Sequence, residues 1–104
     1  MTNFPFNDLH SFKDFVVFVR MCAPDNFPRR EGVPAEDQWT LDLAFQGLRE
    51  GIASAIAEKG ERVEFSESSK LIDEAFQHYK AGNKREGFFT LDEARKNLGR
   101  VRTK

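Results

Sequence analysis

The chain has 104 residues, of which 39% are hydrophobic and 32% are charged, and its net charge is −1. This composition is typical of one soluble globular domain with a single core, and it excludes a disordered chain. The longest apolar run, residues 15–19, is far shorter than the roughly 20 residues of a membrane helix, and residues 1–5 lack the pattern of a signal peptide. We therefore expect a cytoplasmic protein that does not act at a membrane.

The usual catalytic and metal-binding patterns are missing from the sequence. A single cysteine, Cys22, excludes an internal disulfide and any zinc site built from several cysteines. His10 and His78 are far apart in the chain and belong to no metal-ligand spacing. There is neither a glycine-rich phosphate loop nor a serine-nucleophile motif. The sequence therefore predicts a protein that is not an enzyme and has no catalytic residues, metal site or cofactor.

Charge is distributed unevenly along the chain. Residues 31–48 contain four acidic side chains and no basic ones, whereas residues 95–104 contain five basic side chains and no acidic ones. The four acidic residues are Glu31, Glu36, Asp37 and Asp42. Such an uneven charge distribution can steer a charged partner toward the protein. Alternatively, the acidic segment of one copy can pair with the basic segment of another.

The first helix is predicted over residues 12–23, with Ser11 as its N-cap. Its apolar side chains recur at helical spacing, which predicts a buried stripe. The members of that stripe are Phe12, Phe15, Val16, Val19 and Ala23. Val17 and Met21 fall on the far side, so this helix must be covered on most sides by its own domain or by another subunit.

Residues 24–33 are predicted to form a loop, and residues 34–59 a second helix that begins at Pro34 and stops at Gly60. The core stripe of this helix is Leu41, Phe45, Leu48, Ile52, Ala55 and Ile56. Gly47 and Gly51 each disfavour the helix by about 1 kcal/mol relative to alanine. Their presence therefore predicts a close neighbour or a slight kink at these positions.

Trp39 and Leu43 fall on the side of the second helix that is opposite to its core stripe. One interpretation is that the preceding loop folds back over them through Phe27 or Val33. The other is that they remain exposed and anchor a partner, because tryptophan and arginine dominate many interfaces. The sequence alone leaves both interpretations open.

The rest of the chain predicts two further helices. Residues 60–65 are predicted as a connector, and residues 67–81 as the third helix, capped by Ser66. Residues 84–89 are predicted as a turn, and residues 91–98 as a fourth helix. Thr90 and Glu93 have the spacing of a capping box for this last helix. Together these elements predict an all-α domain spanning residues 1–104, with about four helices around one Phe-rich core and a long loop between helices one and two.

The N-terminal half combines an aromatic helix, containing Phe12, Phe15 and Phe18, with a Pro-rich gap and the pair Gln38-Trp39 at the start of an amphipathic segment. In this respect it resembles small uncharacterised bacterial helical proteins, some of the toxin-immunity type. The resemblance implies a bacterial, helical, non-catalytic protein that binds another protein.

The leading functional hypothesis is a small interaction module of immunity, antitoxin or adaptor type, which binds a protein partner by occlusion. The residues expected to bind the partner are Phe27, Arg29, Arg30, Glu36, Asp37, Trp39 and Leu43. A homodimer built on the apolar first helix is a further hypothesis. The alternative function is nucleic-acid association through the basic C-terminal region, because several cations in sequence can follow a phosphate backbone. The residues of that alternative are Lys84, Arg85, Arg95, Lys96, Arg100 and Arg102.

Overall fold

The computed structural model describes residues 4–103 of the chain. Within this range lie four α-helices: α1 (Leu9–Cys22), α2 (Leu41–Lys59), α3 (Val63–Lys80) and α4 (Lys84–Gly99). Each helix packs against the next one in the chain, and α4 also packs against α1 to close the bundle. The described residues form no strand, so the predicted all-α fold with four helices is confirmed. None of these helices is both long and apolar enough to cross a lipid bilayer.

All four helices contribute side chains to one continuous hydrophobic core. Its largest fully buried apolar side chains include Phe12, Phe45, Phe65, Leu91 and Leu98. Phe4 and Phe6, which precede α1, are half-buried and pack against this core. These two rings extend the core beyond the four helices.

α1 begins one turn earlier than predicted, because Asp8 rather than Ser11 is its N-cap. The Asp8 carboxylate accepts the backbone N–H of Ser11 at 2.8 Å, and the Ser11 hydroxyl oxygen accepts the backbone N–H of Asp8 at 3.3 Å. This reciprocal pair satisfies two free donors at the helix start. The hydrogen bond from the Ser11 backbone also lowers the pKa of the Asp8 carboxyl. The earlier start places Leu9 in the core, where it is fully buried.

α1 packs closely against α2 at two glycines that lie one helical turn apart. A Cβ atom at Gly51 would lie 1.9 Å from Cε1 of Phe12, and one at Gly47 would lie 2.8 Å from Cζ of Phe15. The aromatic rings of α1 therefore lie directly on the bare backbone of α2. The close neighbour predicted at these glycines is confirmed.

The predicted start of α3 is wrong by four residues. α3 begins at Val63, so the predicted connector is partly helical and Ser66 lies inside the first turn instead of capping the helix. The physical reason is the burial of Phe65, which shares a helix face with Ser68 and Ile72; all three are fully buried. Core packing of an apolar residue outweighs a local capping signal.

The predicted start of α4 is also wrong. This helix begins at Lys84, so residues 84–89 are helical and Thr90 and Glu93 lie in its interior. Gly82, whose φ is +84°, completes the turn from α3 in the left-handed region that favours glycine. Gly87 then lies against the ring of Tyr79, where a Cβ atom would be 2.8 Å from Cε1. The missing side chain at residue 87 allows this part of α4 to pack closely on Tyr79 of α3.

Candidate functional site

The segment between α1 and α2 contains a single turn of 3₁₀-helix, Ala35–Asp37, within residues 23–40. α2 begins only at Leu41, with Thr40 as its N-cap; the Thr40 hydroxyl accepts the backbone N–H of Leu43 at 3.1 Å. The predicted helix start at Pro34 is therefore wrong. Trp39 lies before the helix, and its predicted place opposite the core stripe of that helix is wrong as well.

The side-chain amide of Gln38 holds this segment in shape. Its Oε1 accepts the backbone N–H of Arg30 at 2.7 Å. Its Nε2 donates to the carbonyl oxygens of Arg30 at 2.7 Å and Val33 at 2.8 Å. These three hydrogen bonds replace the helical ones that the segment does not make, which explains why residues 34–40 depart from the predicted helix.

Arg30 covers one face of Trp39. Its guanidinium carbon lies 4.8 Å from the centroid of the indole ring, a cation–π arrangement. The same guanidinium donates a hydrogen bond to the backbone carbonyl of Asp37. Arg29, its neighbour in the chain, is exposed to solvent. The two arginines of the predicted site therefore differ, since Arg30 shapes the site and Arg29 is free to meet a partner.

The indole of Trp39 is half-buried among phenylalanine rings from three parts of the chain. Its centroid lies 5.6 Å from Phe15 and 5.4 Å from Phe18, both on α1. Phe27 of the loop and Phe4 of the N-terminal segment each lie 6.4 Å away. The loop thus folds onto Trp39 through Phe27, which is the first of the two interpretations left open by the sequence.

This covering is incomplete, because an open groove of about 470 Å³ remains beside the indole. We call it the aromatic groove; its lining residues are Pro5, Ser11, Asp14, Phe15, Phe18, Arg30 and Trp39. Rings form its apolar surface, while the exposed carboxylate of Asp14 and the guanidinium of Arg30 supply charge at its edges. Apolar surface with a few polar groups at the margin is the usual composition of a binding site.

The loop around the aromatic groove is acidic and solvent-exposed. Glu31, Glu36 and Asp37, which we call the acidic rim, each lie within three residues of Arg30 or Trp39. Among residues 4–103 these three carboxylates form no ion pair. Asp42, by contrast, lies 3.1 Å from the ammonium group of Lys80. The acidic rim therefore presents three carboxylates without an ion pair, on a loop that also carries the exposed Arg29.

The predicted partner-binding residues are brought together only in part. Arg30 and Trp39 line the aromatic groove and Phe27 supports the indole, whereas Glu36 and Asp37 are exposed on the same loop and do not line the groove. Leu43 lies on α2, half-buried, and does not line the groove. Sequence reasoning missed the contribution of α1, above all Asp14 and Phe18. Their spacing of four residues placed them on one face of α1, and this was the signal available in the sequence.

The basic residues of the nucleic-acid alternative do not form one uninterrupted positive surface. The Asp92 carboxylate lies 3.1 Å from Arg20, 2.8 Å from Arg95 and 3.7 Å from Lys96. A side-chain hydrogen bond from Arg95 is the main cause of the lowered pKa of Asp92. Arg100 donates to the side-chain oxygen of Asn97 at 2.6 Å. The remaining cations of that set, all exposed, are Lys84, Arg85 and Arg102.

A larger groove, of about 720 Å³, lies between the end of α2 and the start of α3. Ile52, Ile56 and Phe65 contribute its apolar surface. Its margin mixes Glu61 with Arg62 and Lys70, so it favours neither sign of charge. The aromatic groove is smaller, but three of its lining residues are aromatic, against one in the larger groove.

The described residues contain no group of three or more histidine, cysteine or carboxylate side chains arranged to hold a metal ion. Cys22 is half-buried, and burial raises the pKa of its thiol, which disfavours the reactive thiolate.

No family model matches this chain, and no curated protein or solved structure shows a significant match to it. The physical chemistry of its own surface is therefore the basis for a functional proposal.

Proposed function

We propose that this chain is a small, non-enzymatic protein-interaction module, of immunity, antitoxin or adaptor type. In this proposal the aromatic groove and the acidic rim bind a basic segment of a partner protein and occlude it. The observation that carries the proposal is the groove beside Trp39, with aromatic rings inside, the exposed carboxylate of Asp14 at its edge, and three exposed carboxylates without ion pairs on the adjoining loop.

The aromatic rings supply the affinity in this proposal. Phe18 and Trp39 present apolar surface, and their packing, together with the contact of Trp39 with the buried ring of Phe15, fixes their orientation before a partner arrives. This protein would therefore lose little conformational entropy when a partner side chain enters the groove. Aromatic residues in such half-exposed positions commonly dominate interface energetics.

The carboxylates define the charge of the partner. The acidic rim and Asp14 attract a lysine- or arginine-bearing segment, and their effect falls with ionic strength because they are exposed. Long basic side chains also place their methylene stems on apolar surface while their charged ends stay hydrated. A segment that combines basic and apolar residues therefore fits both features of the site.

Trp39 makes a direct test possible, because it is the single tryptophan of the chain and lines the groove. The probe is a 12-residue peptide of alternating lysine and leucine, compared with the same peptide carrying glutamate in place of lysine. We expect the lysine peptide to change Trp39 emission saturably, more weakly at high salt, and the glutamate peptide to have little effect.

Charge-reversal variants make this test specific. The variant Glu36→Lys/Asp37→Lys should weaken binding of the lysine peptide, while the matched control Glu74→Lys/Glu86→Lys, on the exposed surfaces of α3 and α4, should bind nearly as the parent does. Equal binding by both variants, or no change in Trp39 emission, would contradict the proposal.

A further inference from the structure

The ring of Phe4 is stacked with two other aromatic rings. Its centroid lies 5.9 Å from Phe6, with 9° between the ring planes, and 6.4 Å from Trp39, with 30° between them. Phe15 lies 6.1 Å away. The ring also lies against the bare backbone of Gly47, where a Cβ atom would be 2.8 Å from Cδ1 and Cε1 of Phe4. We call the space that Phe4 fills the aromatic slot, and its nearly parallel rings favour a flat side chain.

Ring contacts alone attach Phe4 to the rest of the domain. Its carbonyl oxygen accepts the backbone N–H of Phe6 at 2.8 Å, which lies within the same short segment. In the described part of the chain, no hydrogen bond joins residues 4–6 to any residue outside that segment. Both rings are half-buried. A segment held only by such packing opens locally at a small cost in free energy.

The start of α1 is fixed independently of this segment. Its capping box is complete, and the backbone N–H of Asn7 donates to the Ser11 hydroxyl at 3.0 Å. The backbone N–H of Leu9 donates to Oε1 of Glu58, on α2, at 2.9 Å. Release of Phe4 would therefore leave the hydrogen bonds at the start of the helix intact.

Phe6 and Phe4 are held unequally. Phe6 packs 5.1 Å from Phe12 and 5.2 Å from Phe15, whereas the nearest ring to Phe4 lies at 5.9 Å. Pro5, which joins them, lines the aromatic groove, so the slot adjoins that groove. Movement of Phe4 alone, with Phe6 as its anchor, would extend the groove to the backbone of α2.

We propose that the aromatic slot receives an aromatic side chain of the partner protein, and that Phe4 occupies it in the free protein as a displaceable plug. This proposal rests on the proposed function and adds a phenylalanine, tyrosine or tryptophan to the basic segment of the partner. The ring of Phe4 itself shows which chemistry the slot accepts. While the plug is in place the partner's ring cannot enter, so the apparent Kd rises as the fraction of free slot falls.

Phe4→Ala tests the plug, because it empties the slot and leaves the Phe6 anchor in place. The probes are the alternating lysine–leucine peptide and the same peptide with one central leucine replaced by phenylalanine. Calorimetric titration should show the phenylalanine peptide binding the variant about tenfold more tightly than the parent, the size of a favourable aromatic pair, and the leucine peptide gaining little. Phe89→Ala is the matched control, since Phe89 is 53% exposed on α4, and should leave both affinities unchanged.

A second measurement uses the parent protein and needs no substitution. Binding of the phenylalanine peptide should expel Phe4 and break its hydrogen bond with the Phe6 amide. That amide should then exchange its hydrogen faster by NMR, whereas the Asn7 amide, held by Ser11, should keep its rate. Circular dichroism checks that Phe4→Ala keeps its helices, which is expected because Phe4 precedes all four of them.

The outcomes distinguish the plug from the proposed function. If Phe4→Ala binds the phenylalanine peptide no more tightly than the parent does, Phe4 is a fixed wall and the plug is overturned. The proposed function is then still decided by Glu36→Lys/Asp37→Lys. A parent that is dimeric by light scattering, and monomeric with Phe4→Ala, would place the plug of a second copy in the slot and overturn the partner's ring as occupant.

Failure of the proposed function has its own signature, which is that the lysine peptides bind neither the parent nor Phe4→Ala. Millimolar N-acetylphenylalanine amide, which carries no charge, then decides the slot, with N-acetylleucine amide as its control. Binding of the phenylalanine amide to Phe4→Ala, and not to the parent, would keep the slot and its plug without a basic partner. Binding to neither protein would overturn both proposals.

Discussion

The ring of Phe12 lies on the backbone of Gly51, so close that a single methyl group at residue 51 would overlap it. This contact sets the distance between α1 and α2 at the centre of the bundle. It also orients the face of α1 that carries Phe15 and Phe18, and through these two rings it determines the shape of the aromatic groove.

Replacing Gly51 with alanine should therefore destabilise the protein, although alanine is the better helix former. The new Cβ would lie 1.9 Å from Cε1 of Phe12, and overpacking of a core typically costs about 1–3 kcal/mol. Chemical denaturation measures the effect. Gly99→Ala is the control, because its new Cβ would have no atom within 4 Å apart from its chain neighbours and the backbone of its own helix, and it should be neutral or slightly stabilising. Equal stability of the two variants would refute the packing described for α1 and α2.

Gln38→Ala should loosen the loop without unfolding the bundle. The substitution removes three hydrogen bonds to the backbone of Arg30 and Val33, each contributing about 1 kcal/mol or less at this partly exposed site. Trp39 should then become more accessible, with red-shifted emission and stronger quenching by acrylamide. Arg29→Ala serves as the control, since this side chain is exposed, and should leave the emission unchanged. The absence of any difference between the two variants would count against the Gln38 contacts.

Tyr79 should ionise unusually late. Burial raises its pKa to about 12, and the nearby charge of Arg20 opposes this shift to a smaller extent. Because Tyr79 is the single tyrosine, absorbance at alkaline pH reports its ionisation directly. The folded state favours the neutral phenol, so its contribution to stability is complete below the ordinary pKa of about 10 and is lost as the pH rises toward 12. Ionisation near pH 10 in the folded protein would contradict the burial of this ring.

Tyr79→Phe tests the hydroxyl itself. Among the described residues the phenol oxygen is buried and has no hydrogen-bond partner. Removing a buried polar group of this kind should be neutral or stabilise the protein by up to about 1 kcal/mol. Thermal unfolding of the variant at neutral pH measures the change. A destabilisation of more than about 1 kcal/mol would show that the hydroxyl makes a favourable interaction.

Asp92→Asn should weaken the contact between α1 and α4. The variant loses the charge that attracts Arg20, Arg95 and Lys96, which we expect to lower stability by about 1–2 kcal/mol at neutral pH. The pKa of Asp92 is lowered in the folded state, so its contribution is complete above the unfolded value of 3.8 and is lost as the pH falls below it. Parent and variant should therefore converge in acid. A constant difference across this pH range would assign the effect to geometry instead of charge.

The helical periodicity of the sequence was sufficient to predict the class of fold, because apolar stripes on α1 and α2 coincide with the buried faces. Local signals predicted helix ends less well. Thr90 and Glu93 have the spacing of a capping box but lie inside α4, since tertiary packing of Gly87 on Tyr79 extends that helix. Phe65 similarly extends the start of α3, because it is buried by residues that are distant in the sequence and no local pattern indicates this burial.

The candidate site was predictable only in its components. Trp39 and Arg30 were both singled out from the sequence, yet their contact depends on the Gln38 side chain folding back on the loop. The α1 residues of the groove have ordinary helical spacing, so nothing local distinguishes Asp14 and Phe18 from other boundary residues. Their role arises from the long-range approach of the loop and the N-terminal segment to α1.

The hydrogen bonds of Gln38 connect residues only eight or fewer positions apart, and all of them end on a single side chain. Releasing this one amide group consequently frees the backbone of Arg30 and Val33 from Gln38, while the hydrogen bonds of the four helices stay intact. The backbone amide of Arg30 should thus exchange with deuterium far earlier than the core amides of α2. Such local opening would move the part of the groove wall that Arg30 forms, while the part formed by Phe15 and Phe18 of α1 stays fixed.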